Sequence, residues 1–284
     1  MFELILENAA GDQLTFTQNS PFTVTEIQGL NPPPATINTS QIALIDGAKF
    51  NSSKLQMRTI NVAFAIEYAA ALNRIAVYKV LKSKQYVKLY YNGQFRQVFI
   101  EGYIASIDIT YFDMKQIVTC QIICPSPYFK EAQVIIDELL NIVSAFHFPF
   151  SSTASPQLVF GYISNDVGIT IENDGDVECG MIIELYARTA VSNPKIYNYI
   201  TQDFIGLNYT MQQADLITID TRQGQKSVTL LRGGVETNLF NYVMQNSTWL
   251  QLPANGGTFV YEVGSGDTGD LAVTFKHNNM YEGV

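Results

Sequence analysis

Short segments in which apolar and polar residues alternate run through most of the first half of the chain. This alternation is typical of strands that bury one face. The clearest segments are residues 55–66, 86–91, 95–100, 103–109 and 116–124. Asn92-Gly93 separates the second segment from the third, and this pair favours a tight hairpin turn. We therefore predict about seven strands before residue 125, with 103–109 and 116–124 as an antiparallel pair.

Residues 67–81 have a different period, because their apolar side chains recur at spacings of three and four. The members of this set are Tyr68, Ala71, Leu72, Ile75, Tyr78 and Leu81. Such spacing places them along one face of a helix, and Arg74 and Lys79 fall toward the other side. We predict one helix that plugs or flanks a barrel or sheet.

From residue 167 onward, short apolar segments alternate with turn residues. The strand candidates are 167–171, 181–186, 195–197, 207–210, 216–220, 228–231, 249–250, 257–261 and 271–275. Asn193-Pro194 and Gly233-Gly234 are typical turn sequences. Many short strands without a helical period favour a sandwich of two sheets. The predicted fold class is therefore mainly β, with one helix in the first half.

The segment from Cys124 to Phe129 lies where the composition of the chain changes. Pro125 and Pro127 lack an N–H group, so the strand before them must end at Cys124. Tyr128 and Phe129 then offer two rings that anchor the exit of this strand against a core. The pattern fits either an ordinary strand end or a junction between domains. Residues 131–150 that follow are ambiguous between strand, helix and linker.

Length and charge narrow the classes of protein. The chain has 284 residues, of which 47% are hydrophobic and 15% charged, which is a globular composition that suits two domains. Residues 1–150 contain 11 Lys and Arg against 12 Asp and Glu, and residues 151–284 contain 6 against 14, so the net charges of −1 and −8 add to −9. The acidic second half argues against binding of nucleic acid or anionic lipid there.

Targeting signals are not evident. The first residues alternate like a strand and carry no basic segment, so we expect no signal peptide and a chain made in a cytoplasm. No apolar run is long enough to span a bilayer, and we expect no membrane partner.

Candidates for chemistry are few. Cys120 and Cys124 lie about 13 Å apart along one strand, too far for a disulfide, and with Cys179 they are interpreted as free thiols. The two histidines, His147 and His277, form no metal-ligand spacing, and His147 is interpreted as a packing residue. No nucleotide-binding, hydrolase or metalloprotease motif occurs. We predict no enzyme, no cofactor and no metal.

Three features of the sequence leave more than one interpretation open. Asp174 and Asp176 form an acidic turn, or else a Ca²⁺ site or catalytic carboxylate pair, although further calcium ligands are missing. Arg58 interrupts an otherwise neutral strand, where it pairs with an acid, faces a neighbouring subunit or lies on a solvated face. Trp249 is either a core residue or part of a sugar-stacking surface with Asn241, Asn246 and Asn255.

The order of several short motifs resembles the distal tail (Dit) proteins of long-tailed, siphovirus-type phages. In the first half the motifs are Asp46-Gly47, Arg58-Thr59-Ile60, residues 87–91, residues 100–103, and the segment Cys124-Pro125-Ser126-Pro127-Tyr128-Phe129. In the second half they are residues 171–176, 193–196, 219–221, 238–240, 249–252 and 281–284. The structural signature that we carry over consists of Gly47, Arg58, Pro125, Pro127, Tyr128 and Phe129.

The resemblance implies a fold and a function. Residues 1–145 would form a ring-building β-barrel or sandwich with one helix, akin to tail-tube proteins, and residues 146–284 a galectin-like β-sandwich. The protein would be a homohexameric hub at the virion tail tip of a phage or prophage, with DNA passing through its channel without specific binding. Its partners would be the tail tube protein and the tail-associated lysin, fibre or receptor-binding baseplate proteins. The resemblance carries over no catalytic residue.

A second hypothesis is a carbohydrate-binding module that recognises host cell-surface glycans through the second domain near Trp249. A galectin-like fold does not by itself imply sugar binding, so the two hypotheses stay open on the sequence.

Overall fold

The computed structural model describes residues 3–17, 19–41, 43, 46–111, 115–139, 142–144, 161–163 and 168–284. The chain divides into two compact units. Unit 1 comprises Met1–Gln133 together with Met280–Val284, and unit 2 comprises Val134–Asn279. The boundary predicted between residues 145 and 146 lies outside the described residues, as does His147.

Unit 1 is a β structure with one helix in its described part. Its elements before residue 133 are β1 (Glu3–Asn8), β2 (Gln13–Phe16), β3 (Phe22–Gln28), β4 (Ala35–Gln41), β5 (Ala48–Leu55), β6 (Arg58–Ile66), α1 (Ala70–Val80), β7 (Tyr86–Asn92), β8 (Gln97–Ile109), β9 (Gln116–Cys124) and β10 (Phe129–Glu131).

The main sheet of unit 1 has nine antiparallel strands, of which seven follow the order β2-β1-β7-β8-β9-β6-β3. Strand β10 pairs with β8 beside this path, and the ninth strand is the last one in the sequence. The inward side chains come from alternate positions. Strand β1 shows this along its whole length, and β6 shows it as far as Phe64, with burial of every second residue. Phe16 on β2, Phe22 on β3 and Phe64 on β6 pack together, with the Phe16 and Phe22 ring centroids 6.0 Å apart. The two end strands of the sheet therefore approach each other through side chains, and the sheet curls toward a barrel.

The strand predictions for this half are largely confirmed, with one merger. The Asn92-Gly93 turn joins β7 to β8, and β8 pairs with β9. Segments 95–100 and 103–109, predicted as separate strands, form the single strand β8, because Glu101 and Gly102 between them continue the pairing with β7.

The predicted helix exists, but its predicted packing face is wrong. Ala69 has a positive φ of 48°, so α1 begins at Ala70 and not at residue 67. The helix buries Val77 and Val80, followed by Leu81, against the sheet. Leu72 and Ile75 of the predicted apolar face are 71% and 66% exposed. The apolar period identified a face of the helix but not the side that the sheet covers.

Unit 2 consists of short strands, apart from two 3-10 turns at Phe240–Tyr242 and Thr268–Asp270 in its described part. The strands are β11 (Ile135–Leu139), β12 (Ile142–Ser144), β13 (Gly161–Ile163), β14 (Gly168–Ile171), β15 (Cys179–Gly180), β16 (Ile182–Ala187), β17 (Val191–Ser192), β18 (Lys195–Asn198), β19 (Phe204–Gly206), β20 (Thr210–Met211), β21 (Leu216–Asp220), β22 (Ser227–Arg232), β23 (Val235–Asn238), β24 (Gln251–Leu252), β25 (Gly257–Glu262) and β26 (Leu271–His277).

Two larger sheets organise these strands. One has the order β11-β26-β16-β21-β22-β23 and the other β14-β25-β18-β19, and the remaining strands form two-stranded pairs. Phe259 of the smaller sheet and Phe275 of the larger sheet are buried, with ring centroids 5.5 Å apart. The predicted sandwich of two sheets is confirmed.

The last residues of the sequence return to unit 1. Strand β27 (Met280–Tyr281) pairs with β10, so that Tyr281 lies opposite Phe129 and Met280 opposite Lys130. The polypeptide therefore passes from unit 1 to unit 2 and back again.

Candidate functional site

Arg58 is the centre of the signature residues. It is the first residue of β6 and is 2% exposed. Its guanidinium donates to four backbone carbonyl oxygens: Nε to Pro127 at 2.7 Å, Nη1 to Gly29 at 2.6 Å and to Asn31 at 2.7 Å, and Nη2 to Glu282 at 2.6 Å. The side chain thus holds three distant segments of unit 1 together.

Phe129 completes this site, which we call the Arg58 cluster (Arg58, Gly29, Asn31, Pro127, Phe129 and Glu282). The Arg58 Cζ atom lies 4.5 Å from the centroid of the buried Phe129 ring, which is a cation–π contact. Burial lowers the pKa of the Arg58 guanidinium from its ordinary value. The hydrogen bonds to carbonyl dipoles oppose this effect, because they favour the charged form.

The expectations for Arg58 are only partly met. The sequence offered an acidic partner, a neighbouring subunit or solvent, and the structure instead shows backbone carbonyls from its own chain. Gly29, Asn31 and Glu282 were missed as its partners. Of these three residues, Gly29 is the one whose residue type the structure requires. Its φ is +91°, and an added Cβ would lie 2.3 Å from the carbonyl oxygen of Thr59.

The proline segment behaves as a strand end within unit 1. Strand β9 ends at Cys124, as the prolines predicted, and the chain continues into β10 of the same unit. Pro125 is exposed, whereas Pro127 contributes its carbonyl oxygen to Arg58. Tyr128 is partly buried, and Phe129 is fully buried and anchors the segment.

Gly47 lies away from the Arg58 cluster, in the turn of the hairpin formed by β4 and β5. Its φ is +96°, and an added Cβ would meet nothing within 4 Å. Its role is therefore to allow the turn. Among the described residues, β4 and β5 pair only with each other, and nearly all their side chains are exposed. We call this hairpin the arm.

A second set of contacts fixes the last residues of the sequence. Arg96 donates from Nη1 to the carbonyl oxygen of Gly283, and its Cζ atom lies 4.2 Å from the centroid of the Tyr281 ring. The Val284 N–H donates to the Leu30 carbonyl oxygen at 3.3 Å. Together with the bond from Arg58 to Glu282, these contacts make the C-terminal segment part of unit 1.

The cysteine and acidic residues considered above as reactive or metal-binding groups do not form such a site in the described structure. Cys120, Cys124 and Cys179 are free and buried, and burial raises the pKa of each thiol to about 12, which disfavours the reactive thiolate. In the part of the chain that the structure describes, no group of three His, Cys, Asp or Glu residues is placed to hold a metal ion, and this includes Asp174 and Asp176. No described helix is long and apolar enough to cross a membrane.

Trp249 lies in unit 2 and is half-buried. Its ring stacks on Phe240, with centroids 5.7 Å apart and an angle of 30° between the planes. The Lys226 ammonium lies 5.6 Å from the centroid of the Trp249 ring. Asn241, Asn246 and Asn255 are exposed. The tryptophan therefore has an aromatic neighbour within its own chain.

Comparisons with known proteins cover both units. The family model described as "Phage tail protein RIFT-related domain" matches residues 10–124, and the model described as "Siphovirus-type tail component, C-terminal domain" matches residues 174–281. A comparison with curated proteins finds no match.

Solved structures show the same fold. The Dit protein of phage SPP1, a hub of the adsorption apparatus of phages that infect Gram-positive bacteria, matches with a TM-score of 0.68 and 13% identity, over 97% of this chain and 98% of that chain. A chain of the phage P2 baseplate in its activated conformation with Ca matches with a TM-score of 0.57 and 14% identity, over 100% of both chains. At these identities the likeness shows the fold alone.

Proposed function

Because the chain belongs to the distal tail protein family of siphovirus-type phages and is a structural hub component of the tail baseplate, we propose that it assembles into a hexameric ring. The ring joins the tail tube above to the tail-associated lysin, fibre or receptor-binding proteins below. DNA passes through the central channel of the ring. The observation that carries this proposal is the match of both units, in one chain, to tail components of this type.

Unit 1 has a feature suited to ring formation. A closed ring needs one heterologous interface, in which two different surfaces of each subunit meet. The arm exposes both of its faces and, among the described residues, both outer strand edges. Strands with free edges are ready to contact another chain, so the arm supports an assembly of several copies.

The charge of the chain supports a channel that lets DNA pass without holding it. The net charge is −9, and residues 1–150, which contain most of unit 1, have a net charge of −1. A protein that binds DNA tightly instead presents an excess of Lys and Arg to the phosphates.

We propose no catalytic role, because the family is structural and the thiols are buried. The Arg58 cluster instead has a structural role: it fixes the segment after β9 and the last residues of the sequence on unit 1. The protein acts at the tail tip of the virion, and we propose that it is made in the cytoplasm of the host bacterium.

The solution mass of the purified chain, measured by light scattering, tests this proposal. A ring gives a single species of hexameric mass over a range of protein concentrations. A dimer that does not grow with concentration would contradict the proposal, because a two-fold contact uses up the surface that a ring needs.

A further inference from the structure

Strand β23 is the last strand of the larger sheet of unit 2, and its outer edge is open. In the described part of the chain β23 pairs with β22 and with no other strand, and all its residues are exposed. The smaller sheet differs, because the N–H groups of Met244 and Thr248 donate to carbonyl oxygens of its last strand, β19. The chain therefore covers the sheet edge at β19 and leaves the edge at β23 free.

The hydrogen-bond ladder determines which backbone groups of β23 face the open edge. The Leu239 N–H donates to the Val228 carbonyl oxygen at 2.8 Å. In an antiparallel pair, residues that exchange such bonds alternate with residues whose N–H and C=O groups point away. In the observed register Glu236 and Asn238 therefore turn these groups away from β22. The edge offers both donors and acceptors to another strand.

Strand β23 lacks the features that usually keep an edge strand from pairing. Edge strands are commonly blunted by Pro, by Lys and by β-bulges. Strand β23 contains no Pro or Lys, and its pairing with β22 has no register shift. The arm, by contrast, carries Lys49 and Lys54 and a register shift. The edge at β23 is therefore suited to accept a strand.

The charges of the second half specify what kind of strand fits. All six of its Lys and Arg residues are engaged within the chain: four in ion pairs, one with a backbone carbonyl oxygen and one over the Trp249 ring. Residues 151–284 have a net charge of −8, and Glu236 brings a carboxylate to the open edge. Opposite charges directly across two strands attract and like charges repel. A strand that pairs here therefore needs Lys or Arg opposite Glu236.

Apolar side chains flank the open edge on both faces of the sheet. On the face that carries Glu236, its cross-strand partner Leu231 is 38% exposed. On the other face Val235 is 66% exposed. Successive side chains of a strand point to opposite faces, so an added strand brings cations to the first face and apolar side chains to the second. β-Branched residues suit the second set, because they pack well on a sheet.

We propose that β23 accepts an extended segment of a second protein as an additional strand of the larger sheet. The segment has Lys or Arg at every second position and β-branched apolar residues between them. The backbone groups of Glu236 and Asn238 hold its main chain, and alternate side chains give specificity. This contact gives the hub an attachment point on unit 2 that does not depend on the ring.

A synthetic peptide tests the contact. The probe is a hexapeptide with blocked ends in which Lys and Val alternate, and the matched control peptide has Glu in place of Lys. Hydrogen exchange of the full chain, read at single residues by mass spectrometry, reports which N–H groups the peptide protects. We expect the Lys peptide to slow exchange at Glu236 and Asn238 and to bind with a Kd below about 1 mM. The Glu peptide should protect neither, because its carboxylates meet Glu236.

Two substitutions at one position separate the backbone from the charge. Glu236→Pro removes the outward N–H and keeps the pairing with β22, because proline is tolerated where the N–H faces away from the sheet. It should weaken binding of the Lys peptide at least about tenfold. Glu236→Gln keeps the N–H and should weaken binding about two- to fivefold at low salt. The control Glu172→Gln removes an exposed charge outside the larger sheet and should leave binding unchanged. Urea midpoints close to that of the wild-type chain verify that the variants fold.

The outcomes are independent of the hexamer. Slower exchange at Glu236 and Asn238 supports the contact whether or not the chain forms a ring. The contact is overturned by an absence of protection there, by equal binding of the two peptides, or by wild-type binding to Glu236→Pro. If Glu236→Pro instead halves the mass of the wild-type particle in light scattering, the occupant of β23 is a second copy of this chain, and the proposal of a different protein is wrong.

Discussion

At the scale of single residues, Arg58 shows how backbone carbonyl groups can hold a buried positive charge. Its guanidinium has five N–H donors in a fixed fork, and four backbone carbonyl oxygens receive hydrogen bonds from them. Each carbonyl belongs to an irregular segment next to a strand, where it has no ladder partner to fill its place. Arg58 therefore supplies the hydrogen bonds that strand pairing would otherwise supply at the point where three segments meet.

Replacing Arg58 with alanine leaves these carbonyl groups buried without a donor. We expect the free energy of unfolding of unit 1 to fall by about 3–5 kcal/mol. Arg58→Lys recovers only part of this, because three ammonium donors cannot reach four separated acceptors. Urea denaturation followed by circular dichroism measures both. The matched control is Lys115→Ala, whose exposed ion pair with Glu67 contributes about 0–1 kcal/mol. If Arg58→Ala were as stable toward urea as Lys115→Ala, the structural role of Arg58 would be contradicted.

Asp215 gives unit 2 a defined response to acid. Its side chain is buried and forms a two-pronged ion pair with Arg232, and hydrogen bonding from Arg232 holds the pKa of Asp215 below the ordinary value of 3.8. A carboxyl group with a lower pKa in the folded than in the unfolded state stabilises the fold above its unfolded pKa. This contribution is lost as the pH falls through the folded pKa.

We therefore expect Asp215→Asn to be less stable than the wild-type chain at about pH 7, with a difference that shrinks below about pH 4. Unfolding by urea at a series of pH values measures this difference. Glu262→Gln serves as the control, because Glu262 is an exposed partner of Lys195 and its difference should be small throughout. A difference for Asp215→Asn that does not change with pH would show that the ion pair is not its origin.

The sequence identified Arg58 as unusual but could not name what it binds. Its acceptors are backbone oxygens, which every residue has, so no residue type marks them. They lie 27 to 224 positions away in sequence. Tyr128 and Phe129 were both predicted as anchors, because two large rings follow the prolines. Of the two, Phe129 is the one that is fully buried. Gly29 was predictable only as a turn residue.

At the scale of elements, β27 makes unit 1 depend on the last residues of the sequence. It extends the sheet beyond β10, and the residues after it accept hydrogen bonds from Arg58 and Arg96. These hydrogen bonds help to hold a strand that has only two residues.

Deleting residues 280–284 should destabilise unit 1 by about 2–4 kcal/mol, because it removes a strand pair and two charge-assisted acceptors. Hydrogen exchange measures the effect as faster exchange in β10 and β6. The control deletion removes Val284 alone, which has a hydrogen bond at 3.3 Å and packs partly buried against the core. This deletion keeps the β10–β27 pair and the bonds from Arg58 and Arg96, so it should destabilise unit 1 less than the longer deletion does. Unchanged protection of β10 after the longer deletion would refute the dependence.

The stacked pair of Trp249 and Phe240 bears on the carbohydrate-binding hypothesis. We expect Trp249→Ala to lower the free energy of unfolding of unit 2 by about 1–3 kcal/mol, because a half-buried ring leaves its aromatic neighbour. The control is Phe95→Ala, because the Phe95 side chain is 92% exposed. Its free energy of unfolding should stay within about 0.5 kcal/mol of the wild-type value. The sugar-stacking interpretation requires the opposite: unchanged stability, and calorimetric binding of host wall polysaccharide that the variant loses.

The elements themselves were largely predictable from the sequence, whereas their packing was not. Alternation located most strands, because a half-buried sheet requires it, and the Asn92-Gly93 pair located the hairpin between β7 and β8. The packing face of α1 was predicted wrongly. An apolar stripe has the same period whether it packs on its own sheet or stays exposed, so the period alone does not identify the covered side. The return of β27 to unit 1 could not be predicted, because its partner β10 lies about 150 positions earlier in sequence.

At the scale of the whole molecule, the chain combines a closed core with open surfaces. Unit 1 buries one continuous apolar core and unit 2 buries many apolar side chains, while the arm and one side of α1 leave large apolar side chains in solvent. A monomer gains nothing from such exposure. The ring that we propose would account for this exposure, because each copy would cover surfaces of its neighbour and every copy would make the same contact.

Electron microscopy of the purified chain in negative stain tests the central claim most directly, because the images show both the symmetry and the channel. We expect class averages of a closed ring with six-fold symmetry and a central opening. Isolated compact particles, or pairs related by a two-fold axis, would contradict the hub that we propose.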